Sequence, residues 1–208
     1  MEKENLTVEL ICHRRNTVSD LLATDSKYGV EVDIRSAGDS LIIHHDPCTS
    51  GELFNDWINA YDHGTLILNV KEEGLESRLI DFMQSTGISD YFFLDQSFPF
   101  LMKWSNAGEH RCAVRVSEFE SIETALTLAG KVDWVWVDCF THFPLVEQDA
   151  LRLKDAGFKL CLVSPELQGR DANVEIPQLI SLLNERNIVA DAVCTKRTDL
   201  WELAGISQ

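Results

Sequence analysis

Short apolar runs rich in β-branched and aromatic residues recur along the chain: LTVELICH (6–13), YGVEVDIR (28–35), TLILNV (65–70), DYFFLD (90–95), RCAVRVS (111–117), VDWVWVDCF (132–140), FKLCLVS (158–164) and ADAVCT (190–195). Runs of this length and composition predict strands, and most of the segments between them have helical period and length. Helix starts are expected at Thr17, answered by Asp20, and at Ser117, answered by Glu120, the spacing of a side-chain cap. Glycines in NAGEH and DAGFK stand where helices end before the next strand. Eight β/α units in a row predict an α/β fold of the (β/α)8 TIM-barrel type. An open doubly wound sheet would need a glycine-rich phosphate loop after its first strand, and CHRRNT contains no glycine.

The 208 residues, 45% hydrophobic and 25% charged, suit one domain over residues 1–208, a compact barrel for this fold class. No proline-rich linker, low-complexity segment or composition break divides them. A formal net charge of -16 argues against nucleic acid or an anionic membrane as a bulk partner, so an anionic substrate would have to be caught by local cations or a metal. MEKENLTVEL lacks the basic and long apolar regions of an export signal, and no run approaches the ~18 apolar residues of a membrane span. A cytoplasmic protein is expected. Cys12, Cys112, Cys139, Cys161 and Cys194 lie in apolar runs without C-x-x-C spacing, the usage of reduced, buried thiols.

In a barrel of this type, chemistry belongs at the C-terminal ends of the strands. His13 ends the first strand. Glu31 and Asp33 are two apart and share one face of the second. In LIIHHDP, His45 shares a face with Leu41 and Ile43, and Asn69 and Lys71 share a face at the end of the next strand. Two carboxylates on one face repel each other and lose hydration, so they need a cation or a proton. An ion-pair network with Arg14, Arg35 or Lys71 would answer that need. So would a divalent metal held by Glu31, Asp33 and the Asn69 carbonyl, a hard oxygen set that selects magnesium, calcium or manganese over zinc. Histidine titrates near neutrality and can take and return a proton, which makes His13 and His45 candidates for acid/base work. Arg115, Glu118, Asp138, Ser164, Glu166 and Gln168 are further polar strand-end residues, read either as a substrate mouth or as salt bridges between strands.

The order HRR-NT, GVEVDIR, LIIHHDP, LILNVK, with QSF at 96–98 and DAVCT near the end, resembles the glycerophosphodiester phosphodiesterase family of the phospholipase C-like phosphodiesterase barrels. The resemblance implies that His13 and His45 are general acid and base, that Glu31 and Asp33 bind metal, and that Arg14 and Lys71 bind phosphate. The chain departs from the pattern at Arg15, where the family has glycine, and in lacking Pro-Glu before Asn16-Thr17. Asn69 stands in place of a metal-binding glutamate, which implies a weakly held magnesium or calcium ion. The segment from Pro47 to Gly64 is short where many members carry an inserted subdomain.

The function expected from these residues is hydrolysis of a small glycerophosphodiester-like or sugar-phosphodiester substrate by two-histidine catalysis with a divalent metal. A non-catalytic phosphodiester-binding barrel and a lyase or isomerase forming a Schiff base on Lys71 are the alternatives. The expected partner is a small-molecule phosphodiester, without nucleic acid or a membrane span. Nothing in the sequence specifies the oligomeric state.

Overall fold

A computed structural model describes residues 8–205, so Leu6 and Thr7 of the first apolar run lie outside the described residues. The elements in chain order are β1 (Glu9–Cys12), α1 (Val18–Leu22), β2 (Gly29–Ala37), β3 (Ser40–Ile43), β4 (Glu52–Leu53), α2 (Phe54–Ile58), β5 (Leu66–Val70), α3 (Glu76–Thr86), β6 (Tyr91–Leu94) and α4 (Phe98–Asn106). After them come β7 (Ala113–Val116), α5 (Ile122–Leu126), β8 (Trp134–Val137), α6 (Glu147–Asp155), β9 (Lys159–Val163), a 3-10 turn (Pro165–Gln168), α7 (Ala172–Glu185), β10 (Ala192–Thr195) and α8 (Thr198–Leu203). Each of the eight apolar runs contributes a strand. The elements fall into two compact units, one of Cys12–Ala113 and one of the described residues on either side of it.

In the Cys12–Ala113 unit, β2, β5 and β6 run parallel, with Val30 beside Leu66, Asp33 beside Asn69, and Leu68 beside Phe93. The first six residues of β2 and all of β5 and β6 are buried, as expected of parallel strands covered on both faces. The far end of β2 turns at Gly38, whose φ of 59° is the left-handed conformation a tight hairpin requires, and returns antiparallel as β3. The antiparallel pair was not among the eight expected strands. LIIHHDP reads in sequence as an extension of the second strand, and the turn at Gly38 makes it a separate antiparallel partner.

An aromatic cluster fills the space under the helices of this unit. Phe54 packs edge-on against Phe82 at 5.6 Å and beside Trp57 at 6.2 Å. Trp57 is completely buried, and its indole N–H donates to the Arg15 carbonyl at 2.8 Å. That one bond ties the hydrophobic cluster to the loop following His13.

In the other unit, β8, β9 and β10 are parallel in register, with Trp136 beside Cys161 and Ala192 also beside Cys161. β7 adjoins β8 through the Asp138 N–H to Val116 carbonyl bond of 2.9 Å, and β1 adjoins β10 through the Glu9 N–H to Asp191 carbonyl bond of 2.9 Å. The helix start expected at Ser117 is a turn instead. Backbone bonds run both ways between Ser117 and Glu120, and the Ser117 hydroxyl donates to the Glu120 carboxylate at 2.7 Å. The cap falls four residues later at Ser121, whose hydroxyl accepts from the Glu123 N–H at 3.1 Å, and the helix begins at Ile122. Thr17 caps α1 as expected. All six cysteines are free thiols, five of them buried and Cys48 exposed. No helix among the described residues is long and apolar enough to cross a membrane.

Gly51 sits against the end of β3, where a Cβ would collide with the Ile43 carbonyl oxygen. Gly51→Ala therefore forces the backbone of residues 43–44 to move, and overpacking of this kind costs about 1–3 kcal/mol. The expected result is a lowered midpoint in chemical unfolding, with changed amide resonances for His44 and His45; an unchanged midpoint and spectrum would remove the constraint.

Candidate active site

The site grows out of one strand, β2. Glu31 and Asp33 alternate with Val30, Val32 and Ile34, so both carboxylates project from the same face, and both are completely inaccessible to solvent. Parallel register puts Asn69 of β5 beside Asp33, with Lys71 two residues further along. The Lys71 N–H bonds to the Ile34 carbonyl at 3.0 Å, extending the ladder just far enough to aim its side chain at the carboxylates. Lys71 Nζ stands 3.2 Å from Asp33 Oδ1 and 3.2 Å from Asp95 Oδ2. Asp95 has a left-handed φ of 61° directly after β6, a strained setting that brings it to the lysine.

The loop after β1 supplies the remaining contacts. Arg14 has a left-handed φ of 56°, and its N–H donates to Glu31 Oε2 at 2.7 Å while its Nε lies 3.1 Å from Asp33 Oδ2. The Arg15 N–H donates to the Glu31 carbonyl at 2.8 Å. Arg15, where the resembled family has glycine, is not among the residues with positive φ, so its side chain meets no backbone penalty. Asn16 grips Asp33 at two points: its Nδ2 donates to Asp33 Oδ2 at 2.8 Å, and its Oδ1 accepts from the Asp33 N–H at 3.0 Å. Arg14 of HRR thus faces the carboxylates of VEVDIR across a loop pinned at both edges.

The two carboxylates resolve their shared problem differently. Burial works against ionisation of Asp33, but Lys71, the Asn16 amide and Arg14 outweigh it and hold its carboxyl below the usual range. Burial and the neighbouring Asp33 push Glu31 up to about 7, against the opposing effects of Asn69, Lys71 and the Arg14 N–H. Asn69 Nδ2 donates to Glu31 Oε1 at 2.7 Å.

Of the two histidines, His13 joins the cluster, with Nε2 3.7 Å from Glu31 Oε2. His45 lies past the end of β3 in a bend, where strand alternation no longer governs direction. Its Nδ1 contacts Asp46 Oδ1 at 2.8 Å, and its carbonyl accepts from Arg35 at 3.1 and 2.8 Å. No hydrogen bond or ion pair links the His45 ring to Glu31 or Asp33 among the described residues. Arg35 thus positions the His45 backbone and pairs with Glu72 at 3.9 Å, instead of neutralising the carboxylate pair. Lys71 bridges two carboxylates, Asp33 and Asp95.

The oxygen set expected to hold a divalent cation is present at Glu31, Asp33 and Asn69. Asn69 is buried, and its Oδ1 has no hydrogen-bond partner, as a hard ion's ligand would show. The set is sparse: no group of three His, Cys, Asp or Glu side chains among the described residues is arranged to hold a metal. Asn16 and Asp95 were missed at the sequence level. The position of Asn16 just before Thr17 reads as part of a helix start, and Asp95 reads as a strand terminus; neither alternation nor spacing points to a carboxylate partner.

Of the polar strand-end residues in the other unit, most are engaged in structural bonds. Glu118 accepts from the N–H groups of Phe140, Thr141 and His142 at 3.1, 2.6 and 2.7 Å, bonds that outweigh its burial and bring its carboxyl down to about 2. Glu166 accepts from Thr195 and from the Lys196 N–H at 2.6 and 2.8 Å, while Gln168 donates to Asp138 at 2.7 Å. Arg115 lies 4.0 Å from Asp138, and Ser164 accepts from Trp201 at 2.9 Å.

No protein-family model matches the sequence, and no curated protein matches it. Solved structures do. A glycerophosphodiester phosphodiesterase from Agrobacterium tumefaciens superposes with a TM-score of 0.64 at 14% identity, covering 95% of this chain and 99% of that one. A glycerophosphoryl diester phosphodiesterase from Parabacteroides distasonis gives 0.69 at 11% identity, covering 99% and 89%. The chain has the fold of these proteins, the (β/α)8 type expected from its sequence.

Glu31→Gln tests the electrostatics. A glutamine keeps the shape, its carbonyl can accept the Arg14 N–H, and a turned Asn69 amide can accept from it. Because the folded state favours protonated Glu31, its contribution to stability is full below about 4.5 and is lost as pH rises through about 7. In chelator, the variant should gain about 1–3 kcal/mol over wild type at pH 8, the difference closing toward pH 4.5. Parallel stability curves over that range would mean that Glu31 carries no such penalty.

Proposed function

We propose that the chain hydrolyses small phosphodiesters of the glycerophosphodiester or sugar-phosphodiester type. The observation that supports this most is the Lys71–Asp33–Arg14 array beside His13: two cations fixed on a buried carboxylate next to an imidazole. Lys71 is anchored by Asp33 and Asp95, which sets its position in advance. Arg14 meets Asp33 through Nε at 3.1 Å while its side chain is 39% exposed, which leaves part of the guanidinium reachable by phosphate oxygens. Cations held in advance stabilise charge as it builds on those oxygens and lose little free energy to reorganisation. The fold likeness to two phosphodiesterases supports the same reading.

Proton transfer falls to the histidines. Asp46 accepts from the His45 ring at Nδ1 in the neutral tautomer, leaving Nε2 as the base. The hydrogen bond from His45 keeps Asp46 below the ordinary carboxylate range, so it remains an acceptor. His13, oriented beside Glu31, is the second acid/base group and protonates or deprotonates the opposite oxygen of the phosphodiester. A magnesium or calcium ion bound by Glu31, Asp33 and Asn69 would add Lewis-acid stabilisation of the phosphoryl oxygens. A non-catalytic phosphodiester-binding role is the second reading, favoured by the fact that Arg14 and Lys71 already neutralise Asp33.

His13→Ala and His45→Ala should each lower turnover of a glycerophosphodiester by ~100-fold or more, with unchanged circular dichroism and melting. Wild-type rates in either variant would remove that histidine from the reaction. Binding of the diester without hydrolysis, with or without added magnesium or calcium, would favour the binding role.

A further inference from the structure

The parallel and antiparallel parts of the Cys12–Ala113 sheet meet on β2. Its residues 30–34 pair with β5 and its residues 34–37 with β3, so Ile34 lies beside both Val70 and Ile43. Past that fork the two neighbouring strands diverge, one toward Lys71 and the other toward His45. The Lys71 N–H still bonds to the Ile34 carbonyl at 3.0 Å and the His44 N–H to the Asp33 carbonyl at 3.1 Å. Among the described residues, no backbone hydrogen bond carries the pairing on to His45.

Arg35, the next residue of β2, spans the gap with a side chain that is only 14% exposed. Its Nε and Nη2 donate to the His45 carbonyl at 3.1 and 2.8 Å, and its Nη1 donates to the Lys71 carbonyl at 3.2 Å. A guanidinium is planar and rigid, so one fork engaged at both edges holds the two carbonyls at a set spacing. Glu72 stands behind the fork, 3.9 Å from Nη1, and its carboxylate also accepts from the Ser36 N–H at 2.9 Å. The ends of this bridge are unequally secured. Lys71 is held as well by Ile34, Asp33 and Asp95. The His45 ring meets Asp46, its own neighbour, and the turn around it is bonded within itself, Asp46 N–H to His44 Nδ1 at 2.9 Å and Thr49 hydroxyl to the Asp46 carbonyl at 2.7 Å. Bonds of that kind shape a turn without fixing its tilt toward Lys71.

We propose that Arg35 is a positioning residue for the reaction. It carries the fixed place of Lys71 across to His45 and so sets the distance between the base and a cation that grips the phosphoryl group. The catalytic part of this inference rests on the phosphodiesterase reading. Arg35 spends its donors on carbonyls and acts through His45, and displacing a catalytic group by about 1 Å can cost about 100-fold in rate. Removing the guanidinium strands no buried charge, because Glu72 keeps Ser36 as its donor.

Steady-state kinetics on a glycerophosphodiester, with wild type, Arg35→Ala, Arg35→Lys, His45→Ala and the double variant Arg35→Ala/His45→Ala, separate this role from a strap that only stabilises the sheet. Magnetic resonance of the histidine rings in wild type and Arg35→Ala accompanies them. Arg35→Ala should lower kcat by about 10–100-fold and leave KM within about 3-fold, since Lys71 and Arg14 still meet the phosphate. Arg35→Lys should stay within about 3-fold of Arg35→Ala, because a single ammonium restores the charge without the fork. In the His45→Ala background the further loss of Arg35 should cost less than about 2-fold, as no base is left to place. The His45 ring signals should shift and broaden in Arg35→Ala while those of His13 hold. Wild-type kcat in Arg35→Ala, full rescue by lysine, an equal loss in both backgrounds, or unchanged His45 signals would each overturn the proposal. Absence of diester turnover by wild type sinks the hydrolase reading instead, and the His45 signals then decide alone whether Arg35 holds the imidazole in place.

Discussion

Two carboxylates buried side by side on β2 set the terms for everything around them. Neither Glu31 nor Asp33 can be hydrated, and at their separation neither can ionise without acting on the other. Asp33 is satisfied by cations and amides: Lys71 from the next strand, with Arg14 and Asn16 from the loop behind. Glu31 receives the neutral Asn69 amide and the Arg14 N–H, with the His13 ring 3.7 Å away. The pair is thereby split into one group held ionised and one poised near neutrality, two electrostatic roles obtained from two like residues two positions apart. The left-handed conformations of Arg14 and Asp95 follow from the same demand, since each bends the chain to bring a group to this cluster.

The acidity of the chain as a whole makes this local arrangement necessary. With 34 acidic residues against 18 basic ones, the surface field repels anions. Attraction for a phosphoryl group has to be concentrated, and it is concentrated by fixing cations against buried counter-charges. Burial keeps those pairs from being screened by salt as surface pairs are.

The strands were legible because parallel strands covered on both faces need unbroken apolar runs, and breaks in those runs, such as Glu31, Asp33 and Asn69, announce themselves. Legibility fails where local pattern and tertiary role diverge. Ser117 and Glu120 have the spacing of a helix cap but close a turn, because the same side-chain bond satisfies either geometry. His45 lies beyond its strand, so alternation could not aim it. Asn16 and Asp95 act through contacts 17 and 24 residues away in sequence, which no local rule reaches. Glu76 reads as an ordinary acidic residue in the first turn of a helix, yet its side chain is buried and accepts from Gln96, 20 residues away in sequence.

The close approach of Gly51 to Ile43 also bears on how this molecule could change. Between those two residues the chain leaves and returns to nearly the same point, and Thr49 closes the excursion by donating to the Asp46 carbonyl at 2.7 Å. Because its two ends already meet, this stretch is a natural place for growth. Lengthening it would cost only the slowly rising entropy of a larger loop and would leave both anchor points and the ladder of β3 intact. A descendant could acquire a cover over the neighbouring His45 at that point without refolding anything beneath it, so long as position 51 stayed without a side chain.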